Sequence, residues 1–151
     1  MGTGPQGSTA LRARLGFAGG SRRVVNGRLI VAGALEITVR HEQGVAIAAV
    51  IGDIDISTVS ELREALVTLA GSGEALIVDL SEVTFIDSTG LGALIGAYRH
   101  AVARGGSLHA VCAQPQARKL LWLTGVDRRI PLADTVEGAL QSVTASRDAP
   151  D

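Results

Sequence analysis

One cysteine, Cys112, occurs in the 151 residues. With no second thiol, the chain has no internal disulfide framework and no cysteine-rich zinc site. Cys112 ends an apolar stretch and reads as a small core residue rather than a nucleophile. Aromatics make up only 3% of the chain and Lys119 is its only lysine; the phosphate loop ending in Gly-Lys-Ser/Thr does not occur. Gly71-Ser72-Gly73 lacks the third glycine of a dinucleotide loop, and it precedes a strand-like run instead of following one. His41, His100 and His109 share no metal-ligand spacing. Long apolar runs are missing too. The longest, Val45 to Ile51, falls far short of the roughly 20 residues of a membrane helix. No basic start followed by an apolar stretch and a small-residue cleavage site opens the chain, so no secretory signal is expected. These absences point to a soluble, cytoplasmic protein with no membrane span, metal or cofactor.

What the chain does contain is unevenly spread. Residues 1–40 carry Arg12, Arg14, Arg22, Arg23, Arg28 and Arg40 against one acid, Glu36, whereas the remainder carries 8 basic and 14 acidic side chains. Eight of the 19 glycines precede Ala34. Such a stretch buries too little apolar surface to offset its ordering entropy, so residues 1–33 read as a flexible, basic Gly/Arg-rich extension. It lacks the interleaved aromatics of a nucleic-acid-binding tail, and no direct nucleic-acid contact is expected. One domain is predicted over 34–144, long enough to bury its own core, with a disordered tail at 145–151.

Within that domain, Leu35, Ile37 and Val39 alternate with Glu36, Thr38 and Arg40, the period of a half-buried strand. Gly44 punctuates, and Val45–Ile51 predicts a second, buried strand paired with it as a hairpin. Thr58-Val59-Ser60-Glu61 reads as a capping box, and Val59, Leu62, Leu66 and Leu69 follow at helical spacing up to Gly71. Ala75–Leu80 predicts a central strand. A helix comes next, with Leu91, Leu94, Ile95, Tyr98 and Val102 on one stripe, ending near Gly105-Gly106. Ser107–Cys112 predicts a strand, Pro115 to Thr124 a helix, Ile130–Leu132 a short strand, and a second capping box at Asp134–Glu137 a last helix through about Val143. The order ββαβαβαβα, with about four helices, predicts a single α/β domain with a mixed central sheet and right-handed parallel crossovers.

One segment concentrates polar chemistry: Val83-Thr84-Phe85-Ile86-Asp87-Ser88-Thr89-Gly90-Leu91-Gly92. A strand-like stretch stops at Asp87, and a helix begins two or three residues later. Asp, Ser and Thr are preferred caps at such a start. Capping accounts well for one of these side chains and less well for three in succession. A nucleophilic serine fails on spacing, because Ile86 stands where an elbow needs glycine, and no histidine is placed in sequence as a base. An aspartic-protease motif fails as well, since Thr89 separates Ser88 from Gly90 and no second copy exists. No enzyme activity is expected. A phosphorylation switch remains: phosphate on Ser88 adds about −1.5 to −2 charges, which a helix start tolerates and a closely fitted partner does not.

Gly52-Asp53-Ile54-Asp55 before the Thr58-capped helix, together with Thr84–Gly92, resembles the two signature segments of STAS domains, and most closely those of the bacterial anti-sigma factor antagonists. The resemblance extends over about residues 35–143. It implies a protein that binds an anti-sigma factor with serine kinase activity and so releases a sigma factor. The kinase then phosphorylates Ser88 and the complex dissociates, until a phosphatase acting on Ser88 resets it. It also implies a partner-binding set of Asp53, Asp55, Asp87, Ser88, Thr89 and Gly90. Two features depart from the family pattern: the Arg-rich stretch 1–33, and Asp53 where Glu is more common. A transport-complex subunit or a sensory scaffold is the alternative role within the same family.

Overall fold

The computed structural model describes the backbone of residues 23–25, 28–30 and 35–148. Among the described residues, seven strands lie side by side in chain order: β1 (Arg23–Val25), β2 (Arg28–Ile30), β3 (Leu35–Glu42), β4 (Val45–Ile54), β5 (Ala75–Ile86), β6 (Ser107–Val111) and β7 (Leu132–Ala133). The first four pair antiparallel and β4 to β7 pair parallel, so the sheet is mixed, as the order predicts. Helix α1 (Val59–Ala70) links β4 to β5, α2 (Ser88–Ala103) links β5 to β6, and α3 (Pro115–Leu123) with a 3-10 turn (Val126–Arg128) leads to β7. Helix α4 (Val136–Asp148) follows β7.

The hairpin turn between β3 and β4 explains its own sequence. Gln43 and Gly44 both take positive φ, 55° and 75°, the combination that matches strand twist in a tight two-residue turn. Along the strands, side chains alternate between two layers. One face, with Ala46, Ala48, Leu76, Val78, Leu108 and Ala110, meets Leu62, Leu66, Leu91 and Leu94 of α1 and α2. The other face, with Val45, Ile47, Ile77 and Val111, is covered by Ala139, Leu140 and Val143 of α4. Each large aliphatic side chain buried this way contributes roughly 1.5–3 kcal/mol of transfer free energy.

Several expectations need correction. Strands β1 and β2 fall inside the stretch expected to be a flexible extension over 1–33, and they add to the sheet beside β3. Residues 1–22 lie outside the described residues. Helix α4 continues to Asp148, into the span expected to be a disordered tail at 145–151; residues 149–151 lie outside the described set. Val102 does not join the buried stripe of α2 and is 51% exposed; Leu91, Ala93, Leu94, Ala97 and Ala101 form that stripe. Thr58 stands at the start of α1 but makes no capping bond with its side chain, because the preceding loop uses its hydroxyl. The last cap also shifts by one residue, with the Thr135 hydroxyl accepting from Gly138 N–H at 3.0 Å.

Candidate functional site

The site stands at the carboxyl ends of β4 and β5, the edge of an open α/β sheet where ligands and partners usually meet the chain. Strand β5 does not stop at Leu80 but runs on to Ile86. Two register shifts relative to β4, between Ala49 and Ile51 and between Gly52 and Asp53, carry it there, so that Asp53 lies opposite Phe85 and Ile54 opposite Ile86. The two signature segments are thereby adjacent.

Each segment is held by its own polar bonds. In the loop after β4, Thr58 Oγ1 accepts from Asp55 N–H at 3.0 Å and donates to the Asp53 carbonyl at 2.9 Å. Asp55 Oδ1 accepts from Ser57 N–H at 2.9 Å and from its hydroxyl at 2.6 Å. After β5, Asp87 caps α2: its Oδ1 accepts from Thr89 N–H at 2.9 Å, Gly90 N–H at 3.3 Å and the Thr89 hydroxyl at 2.5 Å. Beside the β4–β5 ladder, two bonds cross between the segments. Asp87 N–H donates to the Ile54 carbonyl at 3.2 Å, and the Thr84 hydroxyl donates to Asp53 Oδ1.

Gly90 fits where any side chain would have to displace its neighbours. A Cβ built there would lie 2.6 Å from Ile54 Cγ2 and 2.8 Å from Ile86 Cγ1. Hence the first turn of α2 rests directly on the ends of both strands.

Electrostatics follow from these bonds. The hydrogen bond from the Thr89 hydroxyl holds the Asp87 carboxyl below its usual range, aided by backbone donors against some desolvation. Ser57 does the same for Asp55, while the nearby Asp87 charge works weakly in the opposite direction. The edge therefore carries ionised carboxylates at neutral pH.

All six predicted residues come together. Ser88, the first residue of α2, is exposed; Asp53, Asp55, Asp87 and Thr89 are partly buried, and Gly90 is buried. Among the described residues no hydrogen bond engages the Ser88 hydroxyl, so nothing is placed to take its proton. Chemically, this is an exposed hydroxyl without a base beside it, not an activated nucleophile. The sequence did not reveal the hydroxyl partners Ser57 and Thr84, or the exposed apolar pair Ile56 and Phe85, 78% and 53% exposed. Ile56, an apolar residue inside a turn, was the one available signal.

Comparison with known proteins agrees with this layout. Residues 36–139 match the model of the STAS domain. The chain is 31% identical over 107 residues to the anti-sigma-B factor antagonist of Bacillus subtilis, covering 71% of this chain and 98% of that protein. It is 30% identical over 115 residues to the anti-sigma-F factor antagonist RsfB of Mycobacterium tuberculosis, covering 76% and 93% respectively. A crystal structure of an anti-sigma factor antagonist from Mycobacterium paratuberculosis superposes with a TM-score of 0.68 at 32% identity, over 74% of this chain and 95% of that one. On its sequence, its strand and helix order and these matches, the chain belongs to the STAS domain family.

Proposed function

We propose that this protein is an anti-sigma factor antagonist, a binding protein rather than an enzyme. In this reading it docks through the edge formed by Asp53, Asp55 and the start of α2, engages an anti-sigma factor that is also an ATP-dependent serine kinase, and frees the sigma factor. Phosphorylation of Ser88 ends the complex, and a phosphatase restores it. The observation that carries the reading is the exposed, unbonded Ser88 hydroxyl at the first residue of a capped helix.

Elementary electrostatics supports the direction of the switch. A phosphate on Ser88 faces the free N–H groups and positive dipole end of α2, so the fold accepts it. A partner packed on that edge instead meets about −1.5 to −2 added charges beside Asp87 and Asp55, a repulsion of several kcal/mol at a close interface. The test is co-purification from the native cell, with mass spectrometry of the partner and of the phosphosite. An anti-sigma kinase retained by the Ser88→Ala protein and lost by Ser88→Asp is the expected result. Equal retention by both, or recovery of a transporter ATPase in place of the kinase, overturns the reading.

A further inference from the structure

We propose, resting on the reading of Ser88 as the phosphorylated residue, that Asp87 is a specificity-determining residue: by holding the Thr89 hydroxyl it confines phosphoryl transfer to Ser88.

Five hydroxyls stand on the two segments 53–58 and 84–89, and four of them are occupied. Asp53 accepts from Thr84, Asp55 from Ser57 and Asp87 from Thr89, while Thr58 donates to the Asp53 carbonyl. Ser88 alone projects outward without a partner. Thr89 is the demanding case for selectivity, since it offers the same chemistry one residue further along and is only partly buried. A kinase that grips this edge presents its γ-phosphate within reach of both.

In the transfer, the serine oxygen forms a bond to the γ-phosphorus of ATP as the bond from that phosphorus to the β–γ bridging oxygen breaks. ADP leaves with the electron pair, and the hydroxyl proton goes to solvent. For Thr89 the same step requires breaking its 2.5 Å bond to Asp87 and turning the oxygen towards phosphorus. The product would set a phosphate dianion against the Asp87 carboxylate and displace it from the Thr89 and Gly90 amides. Asp87 is itself a poor base, because three donors stabilise its ionised form. It therefore restrains the threonine rather than activating it.

The experiment labels the full chain with native-cell extract, magnesium and radiolabelled ATP, and maps the sites by mass spectrometry. Wild type is expected to carry phosphate on Ser88, and Ser88→Ala none. Asp87→Gly keeps a serviceable helix start, because glycine caps nearly as well. It should raise the Thr89 share at least about tenfold, the change expected if a hydrogen bond to a charged group is removed, and Ser88→Ala/Asp87→Gly should be labelled on Thr89. Asp87→Asn, whose amide oxygen still accepts the hydroxyl, should restore transfer to Ser88 alone. Thr89 staying unlabelled in Asp87→Gly while Ser88 is labelled overturns the proposal. So does loss of label at both residues, which would make Asp87 a kinase-docking group. A wild-type chain labelled nowhere removes the phosphorylation reading itself, a result separable from the other two.

Discussion

At Asp87 one carboxylate oxygen receives three donors and so closes the start of α2. Because its folded carboxyl lies below the ordinary value of 3.8, the ionised form stabilises the fold. That contribution is complete above about 3.8 and disappears as pH falls through the lower folded value. Denaturant midpoints for wild type and Asp87→Asn, taken from about pH 7 down to about pH 2, should differ at the upper end and converge at the lower; a constant gap would contradict the assignment. Ser88 answers to different forces. Its side chain is exposed and faces the positive end of the helix, so Ser88→Asp should change the melting temperature by no more than about 2–4 °C. A drop of many degrees would make the switch a folding effect. Asp87, Ser88 and Thr89 were readable as a group from sequence, because caps have a local signature. Their bonding was not: Thr84 and Asp53 are 31 residues apart, and no local pattern announces such a pair.

At the scale of elements, the decisive contact is between α2 and the two strand ends beneath it. Gly90→Ala drives a methyl group into Ile54 and Ile86, and overpacking of this kind costs about 1–3 kcal/mol. Chemical denaturation measures it. Truncating Ile54 in the same chain should make the combined loss smaller than the sum of the separate losses, and simple additivity would place the clash elsewhere. Elements with a strong period were legible: β3 from its alternation, α1 and most of α2 from their stripes. The far half of β5 was legible only as a strand-like stretch ending at Asp87, not as the continuation of Ala75–Leu80. Asp79, Ser81 and Glu82 interrupt its apolar run where the strand leaves β6 behind, pairing with it only as far as Asp79. Strands β1 and β2, three residues each, are too short to carry a period. Val102 fits a helical stripe by spacing, yet the buried face of α2 runs through Ala97 and Ala101, and Val102 lies to one side of it, exposed.

For the whole molecule, the arrangement separates the apolar core from the edge proposed for recognition. The two apolar layers lie on the faces of the sheet, whereas the polar cluster occupies one end of its parallel strands. Partner affinity should therefore respond to charge at Ser88 while the core does not. Affinities of Ser88→Ala and Ser88→Asp for the captured partner should differ strongly at low salt. Because exposed charges are screened beyond roughly 10 Å at 0.1 M and about 3 Å at 1 M, the gap should narrow as salt rises. A salt-independent gap would point to steric exclusion instead.

The paired irregularities in β5 set a constraint on how this surface can vary. Each slips the strand by one residue against its neighbour, and together they return the pleat to its original phase. Deleting the extra residue at one of them would straighten the strand and leave the residues beyond it opposite the same partners in β4, whereas deleting one in a regular stretch would exchange the side chains that look inward with those that look out. Removing one at both would shorten the projection yet preserve its orientation. Length changes at this end of the sheet are thus absorbed at the two irregularities and ruinous in the regular stretches.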